Sequence, residues 1–453
     1  MTEVQKLAEF VHSHTYGDLS KEAVKELKIR LLDSLGCAIG AQEGEPVRII
    51  RQQINDFGGK PLVSMIGGGR TAPDRAAFYN SALVRYLDYN DSYLAKKETC
   101  HPSDNIGSML AATQYADKGG RDFLTALAIA YQVQCRLSDV APVRDRGFDH
   151  TVQGAYGAAA GAAYALGLTE TQTANAIAIA GTAYNALRVT RTGNLSHWKG
   201  LAFPSVGWTS THSAFLAKYG ITGPEAVFEG NKGFKESIAG DFRIDWSRED
   251  LESVTKTIIK KYNAEIHSQS TLEGVEELVK RNNIKAEEIE KVVLNTFDVA
   301  YNIIGGGEEG AKKNIRTKEE ADHSLPYMMA VMILDGNVLP GQYVPERIMK
   351  EDVQQLLQKV QVYERREYSD RFPKEMACDI TIFLKSGKQF HINKKDYEGF
   401  YTRRASWETI IGKFLNLSRP FADEGILQRI AAIVQNLQKY KISELMDALE
   451  HLK

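Results

Sequence analysis

Asp379-Ile-Thr-Ile-Phe-Leu-Lys-Ser-Gly-Lys-Gln-Phe-His-Ile392 alternates apolar and polar residues around Ser386-Gly387, the pattern of a β-hairpin. It stands in a chain whose first 250 residues read as helix after helix. Helical patterns cover Ala23–Ile39, Pro73–Leu87, Gly107–Ala116, Arg121–Asp139, Gln153–Leu166, Gln172–Leu187 and Trp208–Lys218. The run Gly154-Ala-Tyr-Gly-Ala-Ala-Ala-Gly-Ala-Ala163 has the small residues of closely packed, buried helices. Around the hairpin, Lys291–Phe297 and Val360–Arg366 also alternate like strands, and helices near 271–282, 326–334 and 350–358 separate them. From Thr402 the helical pattern returns. The expected fold is therefore mainly α: a large all-helical domain from both chain ends (1–258 and 399–453) with a smaller α+β lid domain (259–398) inserted.

The 453 residues suit two or three domains. Lys and Arg total 56 against 58 Asp and Glu, which gives no overall field for nucleic acid or an anionic membrane. The N-terminus is an amphipathic helix pattern, not a signal peptide, and no stretch approaches the roughly 20 apolar residues of a membrane span. A cytoplasmic protein is the expectation. Cys37, Cys100, Cys135 and Cys378 are scattered, without the spacing of a disulfide framework, a zinc site or a local iron–sulfur motif.

Four segments combine ionisable residues with helix-boundary signals. In Leu87-Asp88-Tyr-Asn-Asp-Ser92, Asp88 lies near a helix C-terminus, where the dipole or burial would raise a carboxyl pKa. His101-Pro-Ser-Asp-Asn105 follows, with Ser103, Asp104 or Asn105 expected to cap the next helix and His101 facing its N–H groups. His150, beside Asp149 and near Arg144 and Arg146, precedes the Gly/Ala-rich helix. Lys199 follows His197-Trp198 in a stretch poor in other charge, as a desolvated partner for a carboxylate would. In the last segment, Ser270-Thr-Leu-Glu273 reads as a capping box after His267. Ser324 and Pro326 open a helix that carries Tyr327 in its first turn. Each segment alone also reads as a capped or solvated loop. Gly67-Gly-Gly-Arg70 and Gly305-Gly-Gly-Glu308 lack a nucleotide-loop arrangement, and HExxH and GxSxG do not occur.

Jointly these segments, with Leu31-Leu-Asp-Ser-Leu-Gly-Cys37, Leu195-Ser-His-Trp-Lys-Gly200 and Ala264-Glu-Ile-His-Ser-Gln269, resemble the MmgE/PrpD family of 2-methylcitrate dehydratases and cis-aconitate decarboxylases. The resemblance covers nearly the whole chain. It implies the two-domain organisation above, a homodimer, a small polycarboxylate substrate, and catalysis with no cofactor, metal or iron–sulfur cluster. By motif it carries over Asp88, His101, Lys199, His267 and Tyr327 as catalytic, and Ser92, His150 and Lys261 (or its neighbour Lys260) as substrate-binding.

The spacing from Asp91 to His101 and the Glu265-Ile-His-Ser-Gln form resemble the dehydratases. Thr99-Cys100, and Pro204 after Lys199, depart from that pattern. The implied reaction is dehydration of a 2-methylcitrate-like acid to an aconitate-type alkene. Decarboxylation of cis-aconitate, isomerisation or epimerisation of a related diacid, and a non-catalytic helical scaffold are the competing readings.

Removing a hydroxyl β to a carboxylate takes a proton from the adjacent carbon, stabilises enolate-like charge and protonates the leaving oxygen. In this reading Lys199 and His101 clamp carboxylates. His267, partnered by Asp88, moves the proton, and Tyr327 protonates the leaving oxygen or orients the substrate. The expected pocket lies between the helical domain and the lid.

Overall fold

The structure is a computed structural model that describes residues 1–193 and 195–452. It is mainly helical and divides into two compact units. The first contains Met1–Arg191, His197–Thr257 and the chain from Ser406 onward. The second contains Ile258–Ala405 and the short stretch Thr192–Ser196. The return to the helical unit after Ala405 is later than the step at 398/399 expected from the sequence. The turn that follows the hairpin explains the difference: Gly399 O accepts from Ile259 N at 2.9 Å, which ties Tyr397–Arg403 to the second unit.

In the first unit, α1 (Lys21–Gly40), α2 (Pro73–Tyr86), α3 (Ile106–Tyr115) and α4 (Gly120–Val140) precede the Gly/Ala-rich α5 (Thr151–Leu166). α5 packs on α4 through its glycines. A Cβ on Gly157 would stand 2.7 Å from the carbonyl oxygen of Ala130, and one on Gly161 would stand 2.7 Å from that of Ala126. Small residues are required there because the two backbones approach too closely for a side chain.

α6 (Glu170–Ala183) stops four residues before the expected Leu187. Residues 186–188 instead pair with 147–149, through Asp149 N to Ala186 O and Arg188 N to Gly147 O, each at 2.9 Å. α7 (Trp198–Lys218) starts ten residues earlier than expected and runs through Pro204. Proline there removes only the bond to the Gly200 carbonyl. Packing of α7 on α2, α5 and α6 compensates for that loss.

The second unit holds α8 (Gln269–Asn282), β1 (Ile289–Thr296), α9 (Leu325–Asp335), β2 (Val360–Glu364), β3 (Cys378–Leu384) and β4 (Gln389–Lys394). The sheet order is β2-β1-β3-β4, with β1 parallel to β2 and antiparallel to β3. The opening hairpin forms as β3 and β4, and Gly387 takes the left-handed conformation (φ +82°) its turn requires. Cys378, Ile380, Ile382 and Leu384 alternate inward against Leu272, Val275 and Leu278 of α8 and Met328, Met329 and Met332 of α9. Burying Ile380 and Ile382 contributes roughly 1.5–3 kcal/mol each. No helix among the described residues is long and apolar enough to cross a membrane.

Candidate active site

The ionisable residues singled out in the sequence form two clusters, one in each unit.

In the helical unit the first cluster grows from the C-terminus of α2. The helix ends at Tyr86, and Asp88 turns the chain in the left-handed region (φ +51°). Its carboxylate lies 2.5 Å from Arg85 Nη1 and 3.7 Å from Lys199 Nζ. Two cations therefore flank it. Arg85 is buried, which opposes its charge, but Asp88, Asp104 and Asp149 outweigh that and keep the guanidinium ionised. Lys199 is not in a loop. It is the second residue of α7, buried to 7% exposure at that helix's positive end.

The next turn of chain carries Asp91, Ser92 and His101. His101 Nδ1 lies 2.8 Å from the Asp91 carbonyl oxygen and 3.0 Å from Ser92 Oγ. A carbonyl can only accept, so Nδ1 carries a hydrogen. Ser92 thus anchors the histidine ring. The Asp91 carboxylate accepts from Ser103 N at 3.0 Å and Tyr131 Oη at 2.8 Å, and burial raises its pKa against Arg30 and these donors.

The expected side-chain cap at 103–105 does not form. Asn90 Nδ2 bonds Ser103 Oγ at 2.8 Å and Asp104 Oδ1 at 2.7 Å, while Asn105 Nδ2 bonds Pro102 O and Gln134. Asp104 is fully enclosed. Burial, against Arg85 and Asn90, pushes its carboxyl up to about 7.

His150 occupies the position before α5, and its ring meets that of His101 edge-on at a centroid distance of 5.5 Å. Its Asp149 neighbour caps Thr151 N at 3.1 Å and receives Arg191 Nε at 2.5 Å. The arginines acting on it include Arg191, Arg85 and Arg188. Burial pushes His150 down to about 3, with the arginines adding to the effect and Asp149 opposing it. His150 is therefore neutral near pH 7, and its buried Nε2 has no hydrogen-bond partner.

The second cluster is built on the turn before α8. Glu265 caps the 3₁₀ turn Ile266–Ser268: its Oε2 accepts from His267 N and its Oε1 from His267 Nδ1, both at 2.7 Å. The carboxylate partner of His267 within this unit is Glu265. Phe297 and Phe372 wall the imidazole at ring distances of 5.8 and 5.7 Å.

The expected Ser270–Glu273 capping box is absent. Ser270 Oγ bonds Met376 O at 2.6 Å, and Glu273 gathers Lys261, Lys394 and Arg403. Those donors outweigh burial and bring the Glu273 carboxyl down to about 2. Lys261 is thereby held by Glu273 at 3.0 Å and Glu276 at 3.4 Å, while Lys260 is the buried lysine beside Glu265.

Ser324 caps α9 as read, accepting from Tyr327 N at 3.1 Å. Tyr327 itself is fully buried in the core of this unit and donates its hydroxyl to Gln342 O.

The structure thus brings Asp88 to Lys199, and Ser92 and His150 to His101. It gives Lys261 and Tyr327 surroundings of their own. Arg85, Asp91, Arg191 and Glu265 belong to the clusters although the sequence assigns them no site role. For Glu265 a signal existed: a carboxylate two residues before a histidine at a helix start. Among the described residues no group of three or more His, Cys, Asp or Glu side chains is placed to hold a metal ion.

Family models for the MmgE/PrpD N-terminal and C-terminal domains match residues 5–247 and 262–439. The chain belongs to the MmgE/PrpD family. It is 28% identical over 437 residues to 2-methylcitrate dehydratase of Salmonella typhi, covering 90% of this chain and 88% of the relative. Identity to 2-methylcitrate dehydratase of Escherichia coli K12 is 27% over 462 residues, covering 94% and 93%. The cis-aconitate decarboxylase of Mus musculus is 24% identical over 460 residues, covering 96% and 90%.

Proposed function

We propose that this protein is a hydro-lyase that removes water from a 2-methylcitrate-like hydroxy polycarboxylic acid and forms an aconitate-type alkene. The observation that carries this reading is the end-to-end similarity to 2-methylcitrate dehydratases. The side chains of both clusters suit the chemistry.

His267 takes the proton from the carbon next to a carboxylate through Nε2. Lys199 and Arg85, with Asp88 setting their positions, hold the substrate carboxylates and offset the enolate-like charge. Lys260, not Lys261, is the lysine of the second unit that contributes to binding. His101, as the imidazolium, gives its Nε2 proton to the departing hydroxide, so one proton enters the protein and one leaves it. His150 stays neutral and packs the His101 ring.

The family likeness also supports a homodimer, which sedimentation of the purified protein measures.

Incubation of the protein with 2-methylcitrate, and separately with cis-aconitate, tests the reaction. A product lighter by one water from the first substrate supports dehydration. Itaconate and carbon dioxide from the second, with no product from the first, would replace dehydration with decarboxylation, for which the likeness to the mouse decarboxylase speaks.

A further inference from the structure

We propose that Glu265 is the positioning residue for His267, fixing hydrogen on Nδ1 and leaving Nε2 as the proton acceptor. The inference rests on the reading of His267 as the base.

A glutamate that served only as a helix cap would need one oxygen on one backbone N–H. Glu265 uses both. Oε2 takes the His267 backbone N–H and Oε1 takes the ring Nδ1, so one carboxylate sets the backbone turn, the ring rotation and the tautomer together. The opposite nitrogen, Nε2, is buried without a hydrogen-bond partner. The stacked rings of Phe297 and Phe372, 4.7 Å apart, close around the same imidazole. An unpartnered nitrogen in an aromatic wall, backed by a carboxylate, is arranged to accept a proton and to stabilise the resulting imidazolium.

The groups facing Glu265 are His267, His323, Lys260 and Lys312. The first three outweigh burial and hold its carboxyl below the usual range, so it is ionised when His267 acts. Glu265 N also donates to Asp322 O at 3.2 Å, and the Asp322 carboxylate receives His323 Nδ1 and Lys318 Nζ. The backbone link fixes Glu265 from behind. His101 makes the contrast: its Nδ1 rests on a neutral carbonyl and a hydroxyl, which stabilise an imidazolium less than a carboxylate does. The difference assigns proton abstraction to His267.

Glu265→Gln keeps the shape and an acceptor oxygen but removes the charge. We expect kcat on 2-methylcitrate to fall between about tenfold and a hundredfold with KM within about twofold. The acid limb of the pH profile should move about one unit lower, because the base loses the charge that favours its protonation. An unchanged kcat and an unmoved limb would overturn the proposal.

His267→Asn, measured alongside, separates the two claims. If it abolishes turnover while Glu265→Gln behaves as wild type, only the Glu265 inference fails. Full turnover by His267→Asn sinks the base reading and this inference with it. Should Glu265→Gln not fold, the ring ¹⁵N shifts of His267 in the unaltered protein decide: a protonated Nδ1 with a bare Nε2 is expected, and the reverse tautomer contradicts it.

Discussion

The rings of His101 and His150 meet edge to face at 5.5 Å, each held at the start of a helix by a different anchor. His101 is fixed by the carbonyl of Asp91, and His150 sits against Asp149 and three arginines. The first carries a hydrogen on Nδ1, and the second is kept neutral beside it.

That pairing has a consequence for stability against pH. His150 is held at about 3 when folded and returns to about 6.5 when unfolded, so its contribution is present above pH 6.5 and is lost as pH falls. Asp104, raised to about 7, acts in the opposite sense: its contribution is present below the unfolded value near 4 and is lost as pH rises through 7. Between about pH 4 and 6.5 each changes stability by at most about 1.4 kcal/mol per pH unit, with opposite signs. Denaturant melts should find the pair nearly cancelling in the wild-type protein. Asp104→Asn should steepen the loss of stability on acidification, and His150→Asn should leave a loss as pH rises towards 7. Parallel curves for all three proteins would contradict these assignments.

Lys199 and Asp88 separate binding from folding. Lys199→Ala removes a charge-assisted contact worth about 1.5–3 kcal/mol, so kcat/KM should fall roughly 10- to 150-fold. Asp88→Asn leaves Arg85 and Lys199 without a shared anion, and steady-state kinetics should show a higher KM as their geometry loosens. Circular dichroism should find both variants folded.

Tyr327→Phe deletes the hydroxyl that bonds Gln342 O, at a cost of about 1 kcal/mol in stability. Turnover should survive within a few-fold. Lys261→Ala should behave likewise, since its ammonium serves Glu273 and Glu276. Lys260→Met should instead depress activity. A dead Tyr327→Phe enzyme with a normal melting curve would instead assign Tyr327 a catalytic role.

Gly157→Val tests the contact between α4 and α5. A side chain meeting the Ala130 carbonyl at 2.7 Å forces the helices apart, at a cost of about 1–3 kcal/mol or more. Thermal melting of the variant measures this directly.

Where hydrophobic period and turn chemistry agreed, the fold was legible. The β3–β4 hairpin and its Gly387 turn emerge where the alternation places them, and so do α5 and α9. Element ends were less legible because distant partners decide them. Leu187 leaves its helix to pair with Phe148, and α7 reaches back to Trp198 because three helices support it past Pro204.

Capping patterns failed where tertiary acceptors competed. Ser103 is taken by Asn90, and Ser270 by the carbonyl of Met376, 106 residues away. The clusters follow the same rule. Short motifs found His101, Lys199 and His267, but Arg191 reaches Asp149 across 42 residues, and no local spacing signals that.

Dehydration is tested most directly by mass spectrometry of 2-methylcitrate incubated with the purified protein. The expected result is a product lighter by one water, formed by the wild-type protein and lost in His267→Asn. Unchanged 2-methylcitrate, under conditions where the same preparation converts cis-aconitate to itaconate, would contradict it.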